Sequence, residues 1–426
     1  MTGNGTAAVR SDEDRSTPAS AGRPPGADEG RPVGGHGGQG RRVDVAVVGG
    51  GPIGLAIAWR CASRGMRVTV HDPAPGSGAS DVAAGMLAPV SEAHFGQEEL
   101  TRLLADSADR WPAFAAELTA ASGMPIGYRE EGTLVVGLTG DDLAEVRRLG
   151  AYQQGLGLPL TTLRPTELRA REPLLTPRLR GGHYAPQDRQ VDPRRLVRAL
   201  RTAAERAGVS FQPTAVTDVS RLAGQVAAEV VVVAAGCGTA ALTGLPIRPV
   251  KGQILRLRAP DGGAPGFRHV IRGYADGRVV YLVPRDDGEV VVGATEEERA
   301  DTSVTAGGVL DLLRAAVDLM PALAEYDLVE TRAGARPGTP DNAPVIGPLP
   351  DRPGVLVASG HHRNGIVLTP ITAELVLGLI DGAAPDPMLS CFAADRFAWT
   401  ASGSAPSGDL ITVTGQRAGV SGPADR

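Results

Sequence analysis

An apolar strand that runs straight into a glycine-rich turn constrains this chain most. Val43-Asp-Val-Ala-Val-Val48 leads into Gly49-Gly-Gly-Pro-Ile-Gly54, and a helical stretch follows from Leu55 to Ser63. A stop at Gly65 and a second strand, Arg67-Val-Thr-Val-His71, close a βαβ unit of the expected size, about 30 residues. Gly49, Gly51 and Gly54 read G-x-G-x-x-G, with Pro52 and Ile53 between the last two. In such a loop the first glycine permits the tight turn and the second lets backbone approach a pyrophosphate. The third lets helix pack closely on strand, and the helix N-terminus turns N–H groups toward the phosphates. Asp72 ends the second strand near the spacing, about 20 residues, of a ribose-binding carboxylate. A solvated turn could carry the same letters, but the strand before it and the helix after it argue for a dinucleotide site. The motif does not separate FAD from NAD.

The remaining composition narrows the partner class. Of 426 residues, 42% are hydrophobic and 21% charged, enough to fill a core, and the net charge of -5 offers no basic field for nucleic acid or anionic lipid. A small-molecule substrate is the expectation. Cys61, Cys237 and Cys391 form no C-x-x-C pair and read as core filler in a reducing compartment. No run approaches the about 18 apolar residues of a membrane helix, and no signal-peptide stretch is visible, so a cytoplasmic protein is expected. Neither a Ser/His/Asp triad nor a metal-ligand cluster stands out.

Along the chain, residues 1–41 and 401–426 have the composition of flexible tails. Strand character lies between Gly127 and Gly137, helices near 143–155 and 166–172, and a helix opened by Asp192-Pro193 continues to Ala204. Val230-Val-Val-Val-Ala-Ala-Gly236 suits a buried parallel strand. Lys251-Gly-Gln-Ile-Leu-Arg-Leu, Arg278-Val-Val-Tyr-Leu-Val-Pro and Glu289-Val-Val-Val-Gly-Ala-Thr form antiparallel strands divided by turns. The α/β pattern resumes with a strand at 354–360 and a helix expected at 365–380. The predicted fold class is α/β, a Rossmann-type FAD-binding domain interleaved with a mainly antiparallel-sheet substrate domain. Residues 42–120, 191–249 and 331–400 fall to the first and 121–190 and 250–330 to the second.

Three further segments carry a resemblance. Gly76-Ser-Gly-Ala-Ser80 precedes Ala83-Ala-Gly-Met-Leu-Ala-Pro-Val-Ser-Glu92, and Gly334-Ala-Arg-Pro-Gly-Thr-Pro-Asp341 precedes Pro344-Val-Ile-Gly347. With Gly360-His-His-Arg-Asn-Gly-Ile366 they resemble the D-amino-acid oxidase-like flavoproteins, and within that family its glycine-oxidising branch of thiazole biosynthesis. The resemblance spans roughly residues 43–398. It implies FAD, with Ser80, Ala84, Gly85 and Met86 along the pyrophosphate and ring, Val216 near the adenine, and Gly236 also on the cofactor. His361, His362, Arg363, Asn364, Gly365, Ile366 and Val367 would cover the pyrimidine edge, where a helix starting near Gly365 would point its positive end. No cysteine lies between Arg332 and Gly347, which implies dissociable FAD.

The same resemblance implies the chemistry. An α-amino acid must be clamped by its carboxylate while its neutral amine drives hydride loss. Arg336 is the expected clamp, a guanidinium fork matched to a carboxylate, and Tyr281 adds a hydroxyl to the same group. Arg363 would touch substrate or flavin. Glu296 stands where some relatives carry an apolar residue. O2 would reoxidise the cofactor, a homo-oligomer is implied, and a thiazole synthase would consume the imine. Three alternatives stand beside this reading: a D-amino-acid or sarcosine-type oxidase or dehydrogenase of the same fold, an NAD(P)-dependent dehydrogenase, and a non-catalytic nucleotide-binding module.

Overall fold

The computed structural model describes residues 45–225 and 228–397, and both expected tails lie outside the described residues. Six strands form one sheet in the order Val345–Pro348, Val355–Ser359, Val230–Val233, Val45–Val48, Val68–His71, Ser210–Gln212. Its neighbours are parallel except for the Val345–Pro348 edge, which runs antiparallel. The period-2 geometry of a strand splits its side chains between faces. Val45 and Val47 pack into a core shared with helices Pro52–Ser63, Glu98–Ser122, Pro193–Arg206 and Thr369–Ile380. Ala46 and Val48 pack into a second core on the opposite face, with Val231 and Val233. Burial on both faces explains why these strands are apolar without alternation.

The second sheet has eight strands, ordered Asp327–Gly338, Arg248–Arg258, Glu289–Gly293, Arg278–Pro284, Val270–Ala275, Thr133–Gly137, Gly181–Ala185, Thr161–Leu163. It is mainly antiparallel, as expected, with one parallel pair between Val270–Ala275 and Thr133–Gly137. Alternation again decides function. Leu255, Leu257, Ile271, Val280 and Leu282 pack against helix Ala306–Leu319, whose Leu312, Ala315, Ala316 and Leu319 complete that core. The intervening residues, among them Ile254 and Tyr281, face the other way and meet Val82, Ala84 and Met86. One face of this sheet is thus a hydrophobic floor and the other is free to carry chemistry.

The structure corrects several sequence expectations. The helix expected from Gly365 begins at Thr369, after a 3-10 turn over His362–Asn364. Pro370 sits in its first turn, where a missing N–H costs nothing, so the positive helix end lies at Thr369 and not at Gly365. The Gly/Pro-rich stretch around Arg336, given no secondary structure from the sequence, forms the edge strand Asp327–Gly338, which tolerates Pro337 because one side of an edge needs no donor. The 25-residue helix Glu98–Ser122 contains Pro112 and gave no clear sequence signal. Helix Pro193–Arg206 begins where expected, with Asp192 accepting from the Arg194 and Arg195 N–H groups.

A Cβ placed at Gly54 would lie 2.0 Å from the Gly49 carbonyl oxygen. Replacement of Gly54 by Ala is therefore expected to destabilise the fold by about 3 kcal/mol through overpacking, read as a lowered urea midpoint. An unchanged midpoint would show that helix and strand do not meet this closely.

Candidate active site

A cavity of about 1000 Å³ lies between the glycine turn and the polar face of the eight-stranded sheet. Gly49, Gly51, Pro52, Ile53 and Asp72 line it, as do Ser80, Ala84, Gly85, Met86, Val216 and Gly236. Tyr281, Arg336, His361, His362, Arg363, Gly365 and Ile366 line it as well. Three expected contacts do not. Gly54 is buried beneath the turn. The Asn364 side chain is buried, its Oδ1 without a partner. Val367 is buried, and its carbonyl accepts from Ser107 Oγ at 2.6 Å and Trp111 Nε1 at 2.8 Å.

The turn end fits a dinucleotide. Gly51 is the N-cap of helix Pro52–Ser63, and a Cβ there would meet nothing within 4 Å, so backbone is open to the cavity where a pyrophosphate would rest. Asp72 holds the turn, accepting from the Gly50 N–H at 2.6 Å and the Ala74 N–H at 2.7 Å. The buried imidazole of His71, beside it in the cavity wall, leaves Nε2 without a partner. At the other end both ring nitrogens of His362 are buried and unbonded. Such groups need a polar partner, and with the open turn they fit FAD.

The sheet face supplies the rest. Arg272 and Tyr281 are cross-strand partners, and Arg336 sits opposite Val250 on the edge strand. Its guanidinium occupies the space a Cβ would take at Gly252 and donates to the carbonyls of Thr295 at 3.3 Å and Lys251 at 3.4 Å. Burial raises the Tyr281 pKa, so its hydroxyl stays protonated. His361 is turned to Thr372 Oγ1 at 3.1 Å, and burial pushes its pKa down to about 3. Burial and the nearby Arg363, Arg336 and Arg248 outweigh Glu296 and push His362 down to about 4.

Sequence reasoning missed one charged pair here. Arg272 donates to Glu92 at 2.8 Å although 180 residues separate them, and both line the cavity at under 10% exposure. Burial alone would raise the Glu92 pKa, but Arg272 and Arg363 outweigh it and keep the carboxyl ionised. His94, also in the wall, is pushed to about 4 by burial and by the same two arginines. A charged residue on the strand Val270-Ile-Arg-Gly-Tyr was the available signal for Arg272.

Two buried groups hold this wall in place. Arg285 donates to the Ala84 carbonyl, to the Val191 carbonyl at 3.1 Å and to Gln190 Oε1 at 3.2 Å. Asp188, fully buried, accepts from the N–H groups of Val90 at 3.1 Å and Ser91 at 3.4 Å, just before Glu92. Burial pushes its pKa up to about 6 against those hydrogen bonds. A carboxyl raised in the folded state contributes most below its unfolded pKa, and that contribution is lost as pH rises through the folded value. Wild-type stability should therefore fall by on the order of 3 kcal/mol relative to Asp188→Asn between about pH 4 and pH 7. Denaturant melts at several pH values test this, and parallel profiles for the two proteins would refute it.

Comparison with known proteins agrees with this architecture. Residues 44–379 match the DAO family model, described as FAD dependent oxidoreductase. A glycine oxidase of Geobacillus kaustophilus is 36% identical over 358 residues, covering 80% of this chain and 93% of that protein. A bifunctional protein ThiO/ThiG of Trichormus variabilis is 35% identical over 83% of this chain, which spans 55% of that protein. The crystal structure of the Geobacillus kaustophilus glycine oxidase superposes with a TM-score of 0.76 at 34% identity, covering 83% of this chain and 99% of that one. Open turn, orphaned imidazoles and family match converge: the chain belongs to the DAO family of FAD dependent oxidoreductases.

Proposed function

We propose that this chain oxidises glycine. Glycine, O2 and water become glyoxylate, ammonia and H2O2, and the imine formed on the way serves thiazole synthesis. The observation that carries this reading is the placement of Arg336 and Tyr281 on one face of the eight-stranded sheet, in the same cavity as the glycine turn. Bound FAD would supply the two-electron acceptor that O2 reoxidises.

The chain's own residues do the rest. Arg336 takes the substrate carboxylate as a bidentate partner, and its two carbonyl acceptors fix the fork before substrate arrives. Tyr281 donates its retained proton to the same carboxylate. His94 and His362 are neutral at pH 7 and add no positive charge against the amine. Arg363 lies in the wall with the flavin-side segment and orients cofactor or carboxylate. The cofactor falls to residues 45–120, 191–247 and 339–397 and the substrate face to 121–190 and 248–338, because strands Arg248–Arg258 and Asp327–Gly338 belong whole to the eight-stranded sheet.

The glycine oxidases among the relatives support the substrate. The ThiO/ThiG proteins, of which this chain spans about half, support a thiazole synthase as partner. No described helix is long and apolar enough to cross a membrane.

Anaerobic mixing of the FAD-loaded protein with glycine, D-alanine and sarcosine is expected to bleach the flavin fastest with glycine. Arg336→Ala should keep its FAD yet lose about 100-fold or more in kcat/KM, the worth of a charged hydrogen bond in a dry site. Arg336→Lys should recover part of it, because an ammonium cannot form the fork. Glycine turnover near wild type in Arg336→Ala would overturn the assignment.

A further inference from the structure

The segment that follows Glu289–Gly293 carries four acids, Glu296, Glu297, Glu298 and Asp301. Three are committed to cations of the protein itself. Glu297 and Asp301 meet Lys251 Nζ at 3.5 Å and 3.0 Å, and Glu298 meets Arg248 at 2.9 Å. Lys251 is wholly buried, and backbone hydrogen bonds in both directions join it to Glu297. Gln253 adds a bond to Glu297 at 2.7 Å and one to Thr305 at 3.1 Å. The segment is therefore fixed, and Glu296 is fixed with it.

Glu296 differs from its neighbours. Its side chain is 59% exposed, it lines the cavity, and its nearest ionic neighbour among the described residues is His362 Nε2 at 4.0 Å. It follows Thr295, whose carbonyl accepts from the Arg336 guanidinium. An unpaired carboxylate thus stands one residue beyond the group that steadies the substrate clamp.

Charge counting gives this position meaning. Apart from Asp72 at the turn, the wall holds four cations, Arg272, Arg332, Arg336 and Arg363, and three anions, Asp81, Glu92 and Glu296, with Arg332 paired to Asp81. The surplus is one positive charge, matched by one substrate carboxylate. A second carboxylate would bring the wall to a net negative charge and approach Glu296, and like charges at short range disfavour one another.

We propose that Glu296 is a specificity-determining residue that admits amines with one carboxylate and excludes those with two. The inference rests on the glycine-oxidising reading and deepens it, by naming the substrate class that the same cavity rejects.

Sarcosine and iminodiacetate test it, because both are N-substituted glycines and they differ by the second carboxylate. In the FAD-loaded wild type, kcat/KM for iminodiacetate is expected to fall at least tenfold below that for sarcosine. Glu296→Gln, nearly isosteric, should raise the iminodiacetate value tenfold or more, mainly through KM, and move the sarcosine value by less than about threefold. Calorimetric binding of acetate and malonate, which are not oxidised, supplies a readout independent of turnover. Malonate should tighten in Glu296→Gln while acetate does not. Equal shifts for mono- and dicarboxylates, or none, overturn the filter and leave glycine oxidation standing. A wild type that oxidises no glycine while malonate still tightens selectively would instead overturn the glycine reading and retain the filter.

Discussion

A buried guanidinium holds the cavity open in its working shape. Arg285 follows a strand of the eight-stranded sheet, yet its three acceptors lie on Ala84 in the cavity wall and on Gln190 and Val191, which pair with Met86 and Gly85 of that wall. Among the described residues no carboxylate hydrogen-bonds it, and burial pulls its pKa down to about 10, so it remains charged at neutral pH. A cation in that position repays its desolvation through carbonyl dipoles, which it must keep in place to remain solvated at all. The eight-stranded sheet is therefore joined to the Ala84 and Gln190–Val191 segments by polar bonds whose loss would leave a buried charge without partners.

The same economy governs the substrate side. Arg336 rests on backbone carbonyls, while Arg272 is spoken for by Glu92. One fork is free to exchange partners and the other is not. On strand Val270–Ala275 that division follows from alternation, since Arg272 and Tyr274 face the cavity while Ile271 and Ala275 sink into the hydrophobic floor.

Much of this was legible from the residues. The strand, turn and helix around Gly49–Gly54 are local, and local patterns survive translation into structure. Asp72 stood out by spacing, and the structure places its carboxylate on the turn's own backbone. What stayed hidden is non-local. Nothing in the one-dimensional order joins Glu92 to Arg272, or Lys251 to Asp301, because those pairs are made by sheet register and by a loop crossing over it. The edge strand at 327–338 was obscured for another reason. Glycine and proline mark loops on average, but at the rim of a sheet both are tolerated, and Arg336 needs an uncrowded Gly252 beside it. The late start of the helix at Thr369 came from Pro370, a residue whose position was visible and whose weight was underestimated.

The position of the clamp on an outermost strand has an evolutionary corollary. Strand Asp327–Gly338 has one strand neighbour in its sheet, Arg248–Arg258, and a single further bridge from Gly338 to His361, and its register shifts between Arg256 and Leu257 before Arg336 comes opposite Val250. Side chains on such a ribbon alternate, so one inserted or deleted codon between Glu330 and Arg336 would turn the guanidinium away from the cavity and present a neighbour instead. Point substitutions along this stretch can drift while its length cannot. Within such a lineage, divergence here should be recorded as exchanged letters and not as gaps.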